Sequence, residues 1–369
     1  MKKLKICLIS LTFSPDSQDG AAKFITGVYE YLRKQGHDVK VITGKWNIDL
    51  NDPNIIQVNL IRKSYFWLPQ FMYKVRKIMR TFNFDIIHLN GPKALTPFLF
   101  SKKKKFLSTI HDLGPIETKF STIPIEKKLI ELLVKRASII TTCSDFVRHQ
   151  IKQIFPKTNI DKIFNLYSAI ESKFIPYPSE ALILKRKLEL EGPTLLYIGR
   201  IASYKGVPDI IKAFQLARQQ VKNLNLVIGG TPDFSMKKTY EEWVQKYPNI
   251  RFTGFVNADE IPIYYSMADI FITYSFASEG FGLTPIEAIA CGTPVICSAL
   301  KVFKEVLGDN AIFVPPRRPD ILAKEIINLI NDDVKRQKLI ERSSSYIKRF
   351  SWDSVGQKLE GTYNKFLSL

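Results

Sequence analysis

The chain has 369 residues, more than one ordinary hydrophobic core accommodates, so we expect two domains. Apolar residues make up 45% and charged residues 24% of the chain, as in globular proteins, and no run of about 18 apolar residues predicts a membrane span. The four cysteines form no C-x-x-C pair, so neither a zinc site nor a disulfide framework is predicted and a reducing, cytoplasmic setting is expected.

The formal net charge is +19, and most of it lies in the first half of the chain. Residues 1–170 carry 28 basic and 13 acidic side chains, a net charge of +15, whereas residues 171–369 carry only +4. Positive charge concentrated on one half of the chain favours a polyanionic partner for that half, such as a membrane surface, a nucleic acid or a phosphorylated acceptor. The alternative is a generally lysine-rich proteome.

The first half alternates short apolar runs with helical patterns. The N-terminus resembles a short secretion signal, but Asp16 and Asp19 stand where a cleavage site of small residues should be, so residues 4–13 are predicted as a buried strand. Residues 24–36 have helical spacing and end at Gly36. The pattern predicts a parallel sheet, whose ligands bind beyond the carboxyl ends of the strands. Four segments are expected there: Ser10–Gly20, His88–Gly91, His111–Gly114 and Cys143–Asp145.

A second Rossmann-like pattern follows a break in the chain. Residues 171–193 hold three prolines and no strand pattern until their end, after which strands and helices alternate again. Residues 351–367 read as an amphipathic helix beyond the last repeat. We therefore predict an α/β protein with an N-terminal domain at 1–172, a C-terminal domain at 173–349 and a final helical segment at 350–369.

The first candidate site is the sequence GRIASYKG, which begins at Gly199. Arg200 ends a predicted strand, and Lys205-Gly206 precedes a predicted helix. Two fixed cations at a strand end beside a helix N-terminus can bind a diphosphate. The alternative is solvated loop charge, and the order of residues excludes a Walker loop.

The second candidate is SEGFGLTPIEAIACGTPVI, from Ser278 to Ile296. Thr284 is predicted as an N-cap and Glu287 as a capping-box glutamate, which gives Glu287 a structural explanation. Glu279 lies before the glycine turn, outside the helix, so no such explanation covers it. The backbone amides of Gly282, Leu283 and Thr284 are expected to favour a phosphate.

The third candidate is His111-Asp112, because it follows a predicted strand at the edge where ligands bind. His88 is placed similarly but is a weaker candidate. His37 lies in a helix-to-strand turn and is expected to be structural.

Together these residues resemble the family 4 retaining glycosyltransferases of the GT-B fold, over nearly the whole length. The signature of two glutamates separated by seven residues, Glu279 and Glu287, is nearly intact with its flanks. The resemblance also covers GR with KG six residues later, FTGFV, YYSMAD, GHDVKVIT and the His-Asp pair. It implies two Rossmann-like domains that face a cleft, with a C-terminal helix that crosses back to the first domain.

The resemblance also implies residue roles. Arg200 and Lys205 would bind the donor diphosphate and stabilise the leaving group. Glu287 would hold the donor ribose, and Glu279 would contact the transferred sugar. His111 would reach that sugar from the other domain. Further donor contacts are expected from Gly20, Phe255, Val256, Phe281, Gly282, Leu283 and Thr284.

The family works without a metal or another cofactor, and the sequence has no D-x-D triplet after a strand. The departing charge would then be neutralised by Arg200, Lys205 and helix amides. Two departures from the family pattern affect inherited contacts. The usual Gly-Gly of the first loop is Asp19-Gly20, and the usual PNGVD segment is NLYSAI at 165–170.

The segment Tyr65–Phe82 is aromatic and basic and predicts an amphipathic helix at a membrane interface. The alternative is an ordinary helix with its apolar face in the core. The predicted apolar face holds Phe71, Val75, Ile78 and Phe82 with Met72 and Met79 beside it, and Lys74, Arg76, Lys77 and Arg80 surround the rest. Lys102–Lys105 adds a basic run nearby.

We therefore expect a hexosyltransferase of glycan biosynthesis that uses a nucleotide-sugar donor, with UDP-glucose as the type of donor expected. Its acceptor would be a glycan or a polyprenyl-linked glycan at the cytoplasmic face of the membrane. One alternative is the same chemistry on a soluble small-molecule or protein acceptor. A sugar-nucleotide epimerase is disfavoured by the glutamate signature, and a nucleic-acid-binding protein by the lack of any recognisable module. The sequence predicts no oligomeric state.

Overall fold

The computed structural model describes residues 3–17, 19–61, 66–100, 105–114, 124–277 and 279–369. The chain divides into two compact units. The first unit contains Met1–Ala169 and Trp352–Leu369, and the second contains Ile170–Ser351. These boundaries lie within three residues of the expected ones at 172 and 349.

The first unit is built on a parallel sheet, in which the described residues form seven strands in the order β3-β2-β1-β4-β5-β6-β7. Strand β1 is almost wholly buried, as expected for a strand covered on both faces. It is shorter than the predicted run of residues 4–13. The strands are β1 (Lys5–Ser10), β2 (Asp38–Lys45), β3 (Ile55–Asn59), β4 (Ile86–Asn90), β5 (Leu107–Ile110), β6 (Ile139–Thr142) and β7 (Ile163–Asn165).

Helices connect these strands, as the right-handed crossover of a parallel sheet requires. The first helix begins after Asp19, whose carboxylate accepts a hydrogen bond from the Ala22 amide at 2.8 Å. It ends shortly before Gly36, which adopts a φ of +84°. The helices of this part of the chain are α1 (Gly20–Lys34), α2 (Trp67–Met79), α3 (Pro124–Arg136) and α4 (Asp145–Ile154), with 3₁₀ turns at Pro92–Phe98 and Ile160–Lys162.

The second unit repeats this architecture. Its described residues form a parallel sheet of six strands in the order β10-β9-β8-β11-β12-β13. The strands are β8 (Thr194–Ile198), β9 (Asn225–Gly229), β10 (Ile250–Gly254), β11 (Ile270–Thr273), β12 (Val295–Ser298) and β13 (Ile312–Val314). The alternation of strands and helices predicted for this half is present.

The helices of the second unit cover a core that includes fully buried Tyr197, Phe214 and Tyr274. Short 3₁₀ turns lie at Ser203–Lys205, Gly308–Asn310 and Ile347–Phe350. The helices are α5 (Pro178–Lys187), α6 (Val207–Arg218), α7 (Lys237–Lys246), α8 (Ile261–Met267), α9 (Leu283–Ala290), α10 (Lys301–Leu307), α11 (Pro319–Ile330) and α12 (Asp333–Tyr346).

The last helix, α13 (Trp352–Ser368), returns to the first unit and packs on α1. Two glycines allow this close approach. A Cβ atom on Gly27 would lie 1.9 Å from the Trp352 ring, and one on Gly356 would lie 2.2 Å from the Tyr31 ring. Any larger residue at either position would push the two helices apart.

Helix α2 corrects one expectation about the membrane segment. Phe71, Val75 and Met79 are buried in the first unit, so the face predicted to enter a membrane interface is occupied by the protein's own core. Helix α2 packs against the 3₁₀ turn Pro92–Phe98 and β3, so its apolar stripe covers a core, which is the alternative that the sequence left open. Residues 62–65 and Lys102–Lys104 lie outside the described residues. Among the helices that are described, none is both long enough and apolar enough to cross a membrane.

Candidate active site

The candidate site of the second unit lies where its strand order reverses. Strands β8 and β11 are neighbours in the sheet but not in the sequence, and loops from such a point diverge to open a crevice. Arg200 and Lys205 follow β8, and Glu279 follows β11. The fold therefore brings the three predicted charged residues to the same edge of the sheet.

Lys205 and Glu279 form a close ion pair. The lysine Nζ lies 2.5 Å from Glu279 Oε1, and both side chains are partly shielded, with 20% and 16% of their surfaces exposed. The hydroxyl of Ser275, which is fully buried, donates to the same Oε1 atom at 2.6 Å. Two donors on a single oxygen fix the direction of the Glu279 carboxylate.

The Arg200 side chain is held by Tyr204, which lies in the turn that also carries Lys205. Arg200 Nη2 donates a hydrogen bond to Tyr204 Oη at 2.6 Å. The Arg200 backbone carbonyl accepts a hydrogen bond from the buried Tyr197 hydroxyl at 2.9 Å. Burial alone would lower the pKa of the Arg200 guanidinium, but Tyr204, Asp233 and Glu279 outweigh it and keep that pKa above its ordinary value. Arg200 therefore remains a permanent cation at the strand end.

Two glycines allow the backbone around these cations to pack closely. Gly206 has a φ of +67°, and a Cβ atom there would lie 2.2 Å from the Tyr274 carbonyl oxygen. Gly230, at the end of β9, has a φ of +130°, and a Cβ atom would lie 1.9 Å from the Gly199 carbonyl oxygen. Both positions exclude side chains, so the loops after β8, β9 and β11 converge.

Helix α9 begins at Leu283, two residues before the predicted first helical residue, Pro285. Gly282 precedes it with a φ of +94°, and Thr284 lies inside the first turn. The predicted capping box, with Thr284 as the N-cap of Glu287, is therefore wrong. Helical geometry leaves the first-turn amides without intrahelical acceptors, so the N-terminus near Gly282, Leu283 and Thr284 has the polarity that an anion requires.

Glu287 has a different structural role from the predicted one. Its residue surface is only 3% exposed, and its Oε2 accepts a hydrogen bond of 3.0 Å from the fully buried Tyr265 hydroxyl. Burial and Glu287 together raise the pKa of Tyr265 well above its ordinary value, so the phenol stays a donor. A ribose hydroxyl would have to reach the carboxylate through its small exposed part.

The remaining predicted contacts of the second unit differ in exposure. The Phe281 ring is buried and packs edge-on against Phe350, with centroids 5.5 Å apart, so the side chain belongs to the core. After β10, Phe255 is 62% exposed whereas Val256 is buried. Phe255 thus presents an exposed aromatic ring at the carboxyl end of β10, which lies on the side of β8 away from β11.

The first unit gathers Gly20 and His111 at the carboxyl edge of its own sheet. Gly20 is the first residue of α1, and His111 follows β5. Asn90, at the end of β4, joins the two segments. Its Nδ2 donates to the Ala21 carbonyl oxygen at 3.0 Å, and its Oδ1 lies 2.7 Å from His111 Nε2. The Phe24 ring of α1 also packs edge-on against the His111 ring, with centroids 5.1 Å apart.

These partners define the proton position on His111. Because the Ala21 carbonyl can only accept, the Asn90 amide nitrogen faces it and the Asn90 oxygen faces the histidine. His111 Nε2 must then donate. Burial lowers the pKa of His111 to about 4, against an opposing effect of Asp19, so the ring is neutral at pH 7 and Nδ1 carries a lone pair.

His88 belongs to a separate buried network in the same sheet. Its Nδ1 lies 2.9 Å from Tyr363 Oη on α13, and its Nε2 lies 2.7 Å from Thr109 Oγ1. Thr109 hydrogen-bonds Thr141 on the next strand. Burial and the neighbouring His111 lower the pKa of His88 to about 3. His88 is fully buried, so it supports the sheet and α13.

Four residues around the predicted ones escaped the sequence reasoning: Tyr204, Ser275, Asn90 and Tyr265. Their signals are weak in sequence, because Asn90 and Ser275 are single polar residues at strand ends and the tyrosines read as core. Within the described ranges, no group of three or more His, Cys, Asp or Glu side chains could hold a metal ion. The metal-free mechanism stays a prediction.

Two family models match the chain. The model described as "Glycosyl transferases group 1" matches residues 180–345, and the model "Glycosyltransferase Family 4" matches residues 18–167. The O-antigen chain mannosyltransferase B of Escherichia coli is 30% identical over 74% of this chain and 73% of its own length. The phosphatidyl-myo-inositol mannosyltransferase of Mycobacterium leprae is 22% identical over 95% and 94% of the two lengths.

Solved structures match over nearly the full length. A sucrose-phosphate synthase from Thermosynechococcus elongatus superposes with a TM-score of 0.84 at 20% identity, covering 99% of this chain and 100% of that one. Anabaena HepE, solved in complex with UDP and glucose, gives a TM-score of 0.81 at 20% identity, with 98% and 100% coverage. These likenesses establish the GT-B fold. Together with the family models and the mannosyltransferase relatives, they show that the chain belongs to the family 4 glycosyltransferases and is a hexosyltransferase.

Proposed function

We propose that the chain transfers a hexose from a nucleoside-diphosphate sugar, a UDP-sugar, to a glycan or lipid-linked acceptor at the cytoplasmic face of the membrane. The transfer would retain the anomeric configuration and need no metal. The observation that carries the proposal is the cluster of Arg200, Lys205 and Glu279 at the strand-order reversal of the second unit.

The cluster suits a departing diphosphate. Arg200 remains a cation, and Lys205 has three N–H donors, so it can bind Glu279 and a phosphate oxygen together. The N-terminus of α9 adds backbone amides beside them. Fixed donors aimed at developing negative charge supply the kind of stabilisation that a metal ion otherwise provides.

Glu279 is proposed to contact the transferred sugar. Ser275 and Lys205 both donate to Oε1, which orients the carboxylate beside a cation. Such a group can accept a hydrogen bond from a sugar hydroxyl or stabilise positive charge at the reacting carbon. Retention of configuration is inherited from the family resemblance.

The donor and acceptor are supported by different observations. The complex of HepE with UDP and glucose supports a UDP-sugar, and glucose is the proposed hexose. The relatives named for O-antigen chains and phosphatidyl-myo-inositol support a glycan or lipid-linked acceptor. The net charge of +15 on residues 1–170 supports peripheral binding to an anionic membrane.

The structure changes how that membrane contact is proposed. Because the apolar face of α2 is buried, its outer face would meet the lipid headgroups. That face presents exposed Phe66, Tyr73, Lys77 and Arg80. Aromatic rings with basic side chains suit the headgroup region, and each cation near an anionic surface contributes about 1 kcal/mol.

A donor panel tests the proposal most directly. Binding and slow hydrolysis would be measured for UDP-, GDP- and ADP-linked glucose, mannose and N-acetylglucosamine. We expect UDP-sugars to bind most tightly and UDP-glucose to be hydrolysed. Preference for a GDP-sugar would correct the donor, and no binding of any sugar nucleotide would overturn the function. Turnover should also persist in EDTA, whereas strict dependence on magnesium or manganese would contradict the metal-free mechanism.

Vesicle binding tests the membrane part. Replacing Lys74, Arg76, Lys77 and Arg80 by Ser should weaken binding to phosphatidylglycerol vesicles at least about 10-fold and spare donor hydrolysis. A matched variant with Lys237, Lys238, Lys246 and Lys324 replaced by Ser loses as many cations from the second unit. If both variants bind alike, α2 is not the contact surface.

The same chemistry on a soluble acceptor is the second candidate. The burial of Phe71, Val75 and Met79 favours it, since it removes the apolar face that would insert into a membrane. Wild-type protein that ignores anionic vesicles at physiological salt but glycosylates a soluble acceptor would establish it. Tight, salt-dependent RNA binding without sugar-nucleotide binding would instead support a nucleic-acid-binding protein, the least favoured reading.

A further inference from the structure

Tyr204 holds a central position among the charged residues of the second unit. It lies in the 3₁₀ turn Ser203–Lys205, between β8 and α6, and is half-buried. Its hydroxyl oxygen accepts a hydrogen bond from Arg200 Nη2 at 2.6 Å. An arginine guanidinium has donors and no acceptor, so the tyrosine must accept in this bond.

The ring of Tyr204 also lies beside both cations. Its centroid is 5.9 Å from Arg200 Cζ and 5.2 Å from Lys205 Nζ. The hydroxyl holds Arg200 at the end of the ring, and the ring attracts the Lys205 ammonium group. A single side chain therefore gathers the two cations at one place.

The backbone of the same turn is joined to the loop that carries Glu279. The Tyr204 carbonyl accepts a hydrogen bond from the Phe276 amide at 3.0 Å. The neighbouring Lys205 binds Glu279, and Gly206 packs directly on the Tyr274 carbonyl. The turn around Tyr204 thus couples the loop after β8 to the loop after β11.

We propose that Tyr204 is a positioning residue that holds the Arg200 guanidinium in the direction required by the donor diphosphate. The proposal rests on the proposed function, in which Arg200 binds that diphosphate. A free arginine loses considerable rotamer entropy when it binds a ligand. A guanidinium already held by a hydrogen bond and a ring loses less, and the difference appears as tighter binding.

The test compares Tyr204→Phe with wild type by calorimetric titration with UDP, GDP and ADP. The phenylalanine keeps the ring and removes only the hydroxyl that Arg200 binds. We expect the Kd of the preferred nucleoside diphosphate to rise about 10-fold, as loss of one hydrogen bond to a charged group predicts. KM for the sugar nucleotide should rise similarly, and kcat should fall as well, because Arg200 also faces the charge that develops on the departing diphosphate. Tyr204→Ala, which also removes the ring, should show a larger loss.

Two controls distinguish positioning from a merely structural role. Tyr247→Phe alters another half-buried tyrosine with a lysine near its ring, 5.5 Å from its centroid, and should leave Kd unchanged. In an Arg200→Ala background, Tyr204→Phe should add no further loss, since the hydroxyl would have nothing to hold. A structural role would lower affinity in both backgrounds.

The outcomes separate this proposal from the one on which it rests. If wild type binds none of the three nucleoside diphosphates, the proposed function fails and the role of Tyr204 falls with it. If wild type binds one of them and Tyr204→Phe binds it equally well, the proposed function stands and the role of Tyr204 is wrong. An equal loss with and without Arg200 would also overturn it.

Discussion

The two units use the carboxyl edges of similar parallel sheets in opposite physical ways. In the first unit the two histidines near this edge are neutral at pH 7, because burial lowers the pKa values of His88 and His111 to about 3 and about 4. In the second unit the groups are charged, and Lys205 and Glu279 form a partly exposed ion pair. The same edge therefore holds a neutral network in one unit and a charged cluster in the other.

The difference follows from the cost of burying charge. The fully buried His88 ring and the partly buried His111 ring stay neutral because ionisation would cost several kcal/mol of hydration free energy. The charged residues of the second unit are tolerated because they pair with one another and keep some contact with water. A neutral network suits hydrogen bonds to sugar hydroxyls, whereas a cationic cluster suits a diphosphate.

The largest expected effect comes from removing the charges of the second unit. Lys205→Ala and Glu279→Ala should each reduce transfer to below detection, at least about 1,000-fold, because each removes a charged contact to the developing transition state. Initial rates with the preferred sugar nucleotide would be compared with wild type, and thermal unfolding would show that the fold is intact.

Lys185→Ala is the matched control for that experiment. Lys185 Nζ pairs with Asp269 at 3.2 Å in a more exposed ion pair, but Asp269 precedes β11 and so lies at the opposite end of the strand from Glu279. This variant should transfer sugar at the wild-type rate. Near-normal turnover in Lys205→Ala or Glu279→Ala would refute the assigned site.

The next effect concerns the neutral histidines of the first unit. Because both folded-state pKa values lie below the unfolded value of about 6.5, the unfolded chain binds more protons than the folded chain between the two. The free energy of unfolding should therefore fall as the pH drops below about 6.5, by up to about 1.4 kcal/mol per pH unit for each histidine.

Urea unfolding between pH 7.5 and pH 5.5 measures that slope, before carboxylates titrate. His88→Gln should reduce the slope by about half, whatever it does to stability at pH 7.5. His149→Gln, at an exposed histidine that contacts the Asp145 carbonyl, should leave it unchanged. Equal slopes in wild type and His88→Gln would show that His88 is not buried in its neutral form.

Much of the fold follows from local patterns in the sequence. The apolar runs of β1 and β8 are short, buried on both faces and bounded by polar loops, so their length and their boundaries identify them as strands. Strand alternation with helices then predicts two parallel sheets, and the edge at which Arg200, Glu279 and His111 lie follows from topology.

The site's supporting contacts do not follow from such patterns. The apolar stripe of α2 looks the same in sequence whether it covers a core or a membrane, and only tertiary packing decides. Glu287 has the spacing of a capping box, but the glycine turn starts the helix two residues earlier and the Tyr265 hydroxyl donates to its carboxylate. Tyr204 has the sequence context of an ordinary loop tyrosine, because its hydrogen bond to Arg200 is visible only in the structure.

The smallest expected effect comes from placing a charged group beside His111 in the first unit. Asn90→Asp places a carboxylate beside His111 Nε2, where an amide oxygen lies at 2.7 Å. An adjacent negative charge favours the protonated ring, so the pKa of His111 should rise from about 4 by at least one unit. Transfer should then decline as the pH falls through that raised pKa, because protonation removes the Nδ1 lone pair.

Titration of the histidine ring protons by NMR would follow that change, with His88 as an internal comparison. Asn90→Ala loses the same hydrogen bonds without adding a charge, so the pKa of His111 should stay low in that variant. A rise in both variants would mean that water enters the edge of the sheet and that burial alone had been lost. A rise only in Asn90→Asp would show that a neutral partner at position 90 keeps this site uncharged while the second unit holds its ions.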